Sequence, residues 1–235
     1  MTNPCRQHFQ RVTAAQQAAV TAPGQPMADS SAYTLQMAQM HQHYQQLRGI
    51  QSTQAKEELK AKLLPDYAPY IDGVLAGGQG AQDVVVTTIM LWRFDASDFE
   101  GGLQIAAYVL KHGLEMSDNF ARKPPCLIAE VVAEAALKAA RAGEAFDIGV
   151  IAEADRLTAE HDMPDEVRAK VKLAIGLLAA GMVDDKEAKP DDVQCLEVAQ
   201  HFIPRAIELH ERCGGKKALE RVERLLKKHA EQKPS

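Results

Sequence analysis

The chain has 235 residues, a net charge of −5, 46% hydrophobic residues and only 5% aromatic ones. That length supports one large domain or two small ones, each with room for a core. The longest apolar run, 173–183, is broken by Gly176 and Gly181 and is too short for a bilayer span. No basic-then-apolar leader pattern opens the chain, so no membrane association and a cytosolic location are expected. Alanine is abundant and β-branched runs are rare, which is the composition of an all-α protein.

The charge is unevenly spread. Residues 1–63 carry six Lys/Arg against three Asp/Glu, and residues 214–235 carry seven against three. The stretch between them therefore holds a net −12. Basic ends can meet phosphate, whereas an acidic body repels it. Cys5, Cys126, Cys195 and Cys213 lie far apart without a CxxC pair and read as free, mostly buried thiols.

In chain order, residues 1–30 read as a flexible arm with a short helix near Gln7 to Ala19. Residues 31–64 read as one long helix or a hairpin turning near Gly49. Tyr33, Met37, Met40, Tyr44 and Leu47 follow a 4-3-4-3 spacing, a narrow seam suited to helix pairing and a candidate oligomerisation element. Pro65 is expected to end that helix and to open a rigid corner through Tyr70. Residues 65–183 form a predicted helical core domain. Gly77, Gly78 and Gly80 make a loop, but no Lys-Ser or Lys-Thr follows, so a phosphate-loop assignment fails.

The densest apolar pattern spans Gly80 to Met116 and contains the single tryptophan, Trp92. Val84, Thr88, Leu91 and Trp92 share a helical face. Ser97 and Glu100 have the spacing of a capping box for a second helix, which Gly113 should close in a left-handed conformation. Pro124-Pro125 opens a helix ending at Gly143. Asp147 caps the next, and Asp162 with Pro164 starts another that reaches about Ala180. A charged loop follows, then a helix from Asp191 to about Arg212 containing Pro204. Residues 184–235 thus form a C-terminal helical pair with a basic last helix. Helices joined by short loops suggest an array of antiparallel hairpins of solenoid-like character, although no repeat period is visible.

Chemical signatures are sparse. HExxH, GxSxG, Walker and zinc-finger patterns are missing, and no catalytic cluster, metal site or cofactor is assigned. Cys195, His201, His210 and Cys213 bracket one helix, but buried thiols and helix-end histidines account for them. Asp184-Asp185 before Glu187-Ala188-Lys189 imitates half of a nuclease site but reads as a charged loop. His41, His43 and His112 read as surface residues.

Several segments together resemble one family. They are Leu64-Pro65, Gly73-Val74-Leu75, Gly80-Ala81-Gln82-Asp83, Met90-Leu91-Trp92-Arg93, Ile105-Ala106 with Tyr108, and Lys111-His112-Gly113-Leu114. Pro124-Pro125, Ala142-Gly143-Glu144, Leu157-Thr158-Ala159 and the run from Asp162 to Lys170 extend the likeness. It resembles the small terminase subunit, or terminase endonuclease subunit, of peduovirus-type tailed phages. The match is dense over about residues 60–180 and looser at both ends.

The resemblance implies binding to double-stranded viral DNA in the cytoplasm of the bacterial host. It also implies a partnership with a large ATPase subunit, a homo-oligomeric ring and cutting of concatemers at cohesive ends. The alternative is a helical scaffold that binds the large subunit with little affinity for DNA. No helix-turn-helix is evident at the N-terminus, so DNA contact is expected through the basic ends. At the N-terminal end the candidates are Arg6, Arg11, Arg48, Lys56, Lys60 and Lys62. On the last helix Lys217, Arg221, Arg224 and Lys228 recur at i, i+4, i+7, i+11, a stripe able to follow phosphates, with Lys216 and Lys227 beside it.

Overall fold

The structure, a computed structural model, describes residues 3–27, 31–116, 122–185 and 192–232. Among them the chain is all-α, with ten α-helices, one short 3-10 turn and a single isolated β-bridge. It divides into two compact units, 1–124 and 125–235. No described helix is long and apolar enough to cross a membrane.

In the first unit, α1 (Pro4–Val20) lies along α3 (Thr53–Gly77). The sequence sets residues 1–30 apart as an arm, but this segment buries Ala14 and Ala18 against its own unit. Glycine makes the approach possible. A Cβ on Gly73 would sit 2.3 Å from the Arg11 carbonyl oxygen, and one on Gly77 2.6 Å from that of Ala15. After α1, the backbone of residues 24–27 pairs with the glycine loop: Gly24 N–H donates to Gly80 O at 2.8 Å and Gln82 N–H to Gln25 O at 2.9 Å. The glycine-rich stretch therefore serves backbone pairing, and Gly80 adopts a φ of 93° to do so.

Helix α2 (Ser31–Arg48) turns through residues 49–52 into α3, so residues 31–64 form the hairpin alternative. The seam pairs helices within the unit. Met40 and Leu47 are buried, Tyr33 and Met37 are half-buried, and Tyr44 meets Trp92 edge-on with ring centroids 5.6 Å apart. Trp92 also takes the edge of Tyr67 at 5.8 Å. His43, expected at the surface, is buried, with Nδ1 2.8 Å from the Tyr67 hydroxyl.

Pro65 does not end α3, which continues through Pro65 and Pro69 to Gly77. Each proline forfeits one helical hydrogen bond. The continuous face of Leu64, Tyr67, Tyr70, Ile71 and Val74 that α3 buries offsets that loss.

The hairpin of α4 (Val84–Asp95) and α5 (Phe99–His112) has an aspartate cap at the start of each helix. Asp83 is the N-cap of α4; its Oδ1 accepts from Val85 N–H at 2.8 Å and Val86 N–H at 3.1 Å, while the Tyr70 hydroxyl donates to Oδ2 at 2.6 Å. Asp98, not Ser97, caps α5 and accepts from Gly101 N–H at 3.0 Å. Ser97 is instead in the turn with a positive φ of 61°, from which its hydroxyl does not cap. Gly113 closes α5 in the left-handed region as the sequence suggests.

The second unit comprises α6 (Pro124–Ala142), α7 (Ile148–Thr158), α8 (Asp165–Gly181), α9 (Asp192–Leu209), the 3-10 turn Glu211–Cys213 and α10 (Lys216–Gln232). Asp147 caps α7 by accepting from Gly149 N–H at 2.8 Å. Pro164 occupies the N-cap position of α8 with no side-chain cap, so Asp162 does not serve there. Ala179, Val183, Leu196, Ala199, Ile203, Val222 and Leu225 form one core where α8, α9 and α10 meet. Gly176 lets α9 approach, since a Cβ there would sit 2.5 Å from Ile203. Cys126 is buried, Cys195 and Cys213 are half-buried, Cys5 is exposed, and all four are free thiols.

Two outcomes follow. Gly73→Val should destabilise the protein by about 1–3 kcal/mol by forcing α1 off α3, visible as a lowered thermal midpoint. Burial pushes the Asp83 carboxyl up from 3.8 to about 6, against the hydrogen bonds from Tyr70, Val86 and Val85 that favour its charged form. Between pH 4 and 6 the folded protein then holds more protons at this group than the unfolded chain. Its contribution is most favourable below pH 4, falls as pH rises to about 6, and is flat above. Asp83→Asn should flatten this slope, so its stability relative to wild type should improve by roughly 1–3 kcal/mol from pH 4 to 7 in urea titrations.

Candidate nucleic-acid interface

Candidate DNA-contacting cations divide by what their charges already hold. On α10, Lys217, Arg221, Arg224 and Lys228 share one face, as the spacing requires. Three of them turn toward the end of α8. Arg221 donates from Nη1 to the Ala180 carbonyl at 2.8 Å, from Nη2 to the Val183 carbonyl at 2.7 Å, and from Nε to Asp185 Oδ1 at 2.7 Å. Arg224 Nη2 reaches Asp185 Oδ2 at 3.0 Å, and Lys228 Nζ reaches the Asp185 carbonyl at 3.1 Å. The Arg221 hydrogen bond, with the charges of Arg221, Arg224 and Lys228, holds the Asp185 carboxyl below the usual carboxylate range. Lys217 alone in the stripe is exposed and makes no ion pair with a described residue.

The need behind this arrangement is general: the last carbonyls of a helix have no partner inside it. The end of α7 is met in the same way. Arg168, from α8, donates from Nη2 to the Thr158 carbonyl at 2.8 Å and the His161 carbonyl at 2.9 Å. Lys172 on the same helix holds Asp155 at 2.7 Å and stands 5.3 Å from the centre of the Phe202 ring.

In the first unit, Arg48 ends α2 in solvent and Lys62 is exposed on α3, whereas Lys56 is half-buried. Lys60 is bound to Asp95 at 2.5 Å. The structure thus leaves Arg48 and Lys62 facing outward and commits Lys60. The Glu187-Ala188-Lys189 segment lies outside the described residues, as does Asp191.

A cation set that the sequence reading does not single out lies in the second unit. A cleft of about 650 Å³ opens between α6, α8 and the 3-10 turn. Lys138 and Arg141, three apart on α6, line one side, and Arg212 of the turn lines another. All three are exposed and make no ion pair with a described residue. Lys170 also lines the cleft but is held by Glu130 at 3.0 Å and Glu134 at 2.8 Å. The only sequence signal for this set is the Lys138–Arg141 spacing. Arg212 lies too far along the chain for any local pattern to join it to them. His210 and Cys213 line the same cleft, and no group of three or more His, Cys, Asp or Glu able to hold a metal ion occurs among the described residues.

This all-α chain, with helices tied end to side by arginine and three of its outward cations at one cleft, matches the family model described as the phage small terminase subunit over residues 37–166. The chain belongs to that family and has a role in phage DNA packaging. It is 39% identical over 234 residues to the "Terminase, endonuclease subunit" of Escherichia phage P2, covering 100% of this chain and 90% of that protein. It is 24% identical over 162 residues to the "Probable terminase, endonuclease subunit" of Haemophilus phage HP1 (strain HP1c1), covering 68% of this chain and 58% of that protein. No solved structure matches it significantly.

Removing the Arg221 side chain takes one donor from each of the Ala180 and Val183 carbonyls and one of the two arginines from Asp185. Arg221→Ala should therefore cost about 2 kcal/mol in urea unfolding. Arg224→Ala removes only an exposed ion pair and should change stability by less than about 1 kcal/mol.

Proposed function

We propose that this chain is the DNA-holding subunit of a phage terminase. It binds double-stranded viral DNA and directs a large ATPase subunit, which packages the concatemer and cuts it at cohesive ends. The identity with the P2 terminase endonuclease subunit along the whole chain carries this reading. The outward cations, Arg48, Lys62, Lys138, Arg141, Arg212 and Lys217, supply the charge that phosphate contact requires.

The relatives' printed names include the word endonuclease. For this chain we assign the directing of the cut, with bond scission on the large subunit. In support, Asp185, which stands next to the acidic-x-Lys segment, is already bound by Arg221 and Arg224. A carboxylate held that way is not available to fix the divalent ion that phosphodiester cleavage commonly uses.

Self-association into a ring is part of the same proposal. Phe9 and Val20 on α1 and Leu35 on α2 are 69%, 84% and 66% exposed. Large apolar side chains left in solvent suit an interface between copies. A specific observation also favours the adaptor role. A second groove, of about 600 Å³, is lined by Phe146, Leu177, Leu178 and Met182, and Met182 is 55% exposed. It offers an apolar surface to a large-subunit helix.

Binding to a packaging-site duplex, followed by fluorescence anisotropy, should weaken by about tenfold or more between 50 and 200 mM salt. Salt-independent binding, or none, would leave only the adaptor role. Purified protein with magnesium should leave that duplex uncut; cleavage by the subunit alone would move the catalytic site onto this chain.

A further inference from the structure

We propose that the cleft between α6, α8 and the 3-10 turn is where this protein grips the sugar-phosphate backbone of duplex DNA. The proposal rests on the DNA-binding reading given above and assigns it a place.

Three observations converge. First, the stripe on α10 that the sequence favours is largely spent: Arg221, Arg224 and Lys228 hold the end of α8 and Asp185. Moving those groups to a phosphate would strip donors from three carbonyls, those of Ala180, Val183 and Asp185, and release the Asp185 carboxylate. Second, Lys138, Arg141 and Arg212 carry no such obligation toward any described residue, and they face one concavity from separate elements. The acids lining that concavity are Glu134, which shares Lys170 with Glu130, and Glu166, against the four cations Lys138, Arg141, Lys170 and Arg212. The balance of charge in the cleft is therefore positive, although the chain as a whole is −5. Third, the cleft wall is mixed. Leu137 and Leu173, both buried, line the cleft below the cations.

Two guanidinium forks and an ammonium suit phosphate oxygens better than they suit a single carboxylate, because each fork can give two parallel N–H donors to one phosphate. An apolar floor accommodates the deoxyribose between successive phosphates. Contacts of this kind fix position on the duplex without reading sequence. The device also separates duties: one set of arginines keeps the unit folded, and another is left free to exchange salt ions for DNA.

The test compares two charge-matched triple variants of the full chain, each checked by circular dichroism for an unchanged helical signal. One carries Lys138→Gln, Arg141→Gln and Arg212→Gln; the other carries Lys217→Gln, Arg224→Gln and Lys227→Gln. Anisotropy titrations with a labelled duplex are run from about 50 to 200 mM salt. The cleft variant should lose at least about tenfold in affinity beyond the α10 variant, and its salt slope should flatten by up to about three, one per phosphate released. An equal or smaller loss than in the α10 variant would overturn the cleft assignment while leaving DNA binding intact. If wild type binds no duplex, the functional reading itself fails. Protection of Lys138 and Arg212 by adenosine monophosphate, with duplex affinity equal in the cleft variant and wild type, would make the cleft a free-nucleotide site and also overturn the proposal.

Discussion

A helix that ends inside a protein leaves carbonyl oxygens that need donors, and in the second unit two arginines meet that requirement. Arg168 crosses from α8 to close α7, and Arg221 crosses from α10 to close α8. Arg168 comes from the next helix in the chain and Arg221 from 41 residues beyond Ala180, and each contact also fixes where the donor helix lies. Asp185 strengthens the second junction by gathering Arg224 as well. With these cations committed, Lys138, Arg141 and Arg212 at the cleft remain exposed and without an ion pair to a described residue, as Lys217 does on α10.

The first unit answers a different constraint, the close approach of backbones. Gly73 and Gly77 admit α1 onto α3, and Gly80 lets the loop before α4 pair with residues 24–27. The Tyr108 hydroxyl accepts from Gly80 N–H at 3.1 Å, and its ring lies against His112, so α5 is tied to the same loop. Asp83 then starts α4 from inside the core. Met40 and Leu47 of the α2 seam are buried in these contacts, whereas Tyr44 is 41% exposed and Leu35 beside the seam 66%.

Local chemistry was readable in the sequence; long-range contact was not. Gly113 and Asp147 act as the residue types and spacings imply, because a left-handed stop and an N-cap depend on a few neighbouring residues. The Trp92 hairpin stands out because its apolar face is dense enough to fix helical phase. Pro65 misleads because the rule that proline ends helices is local, whereas the burial that carries α3 onward depends on α1 and α4. Ser97 and Asp98 are adjacent cap formers, and only the turn's positive φ decides between them. The α10 stripe is visible as a pattern, but Arg221 and Ala180 are too far apart in sequence for their bond to show. The same distance hides the association of Arg212 with Lys138 and Arg141.

Amide hydrogen exchange of the full chain, with and without a packaging-site duplex, is the most direct measurement of how the cations are divided. DNA should slow exchange in the last turn of α6 and around residues 210–214, and should leave the middle of α10 unchanged. Slowed exchange along α10 with no change at the cleft would show that the helix-closing arginines are also the DNA-holding ones, and would contradict the division of roles drawn above.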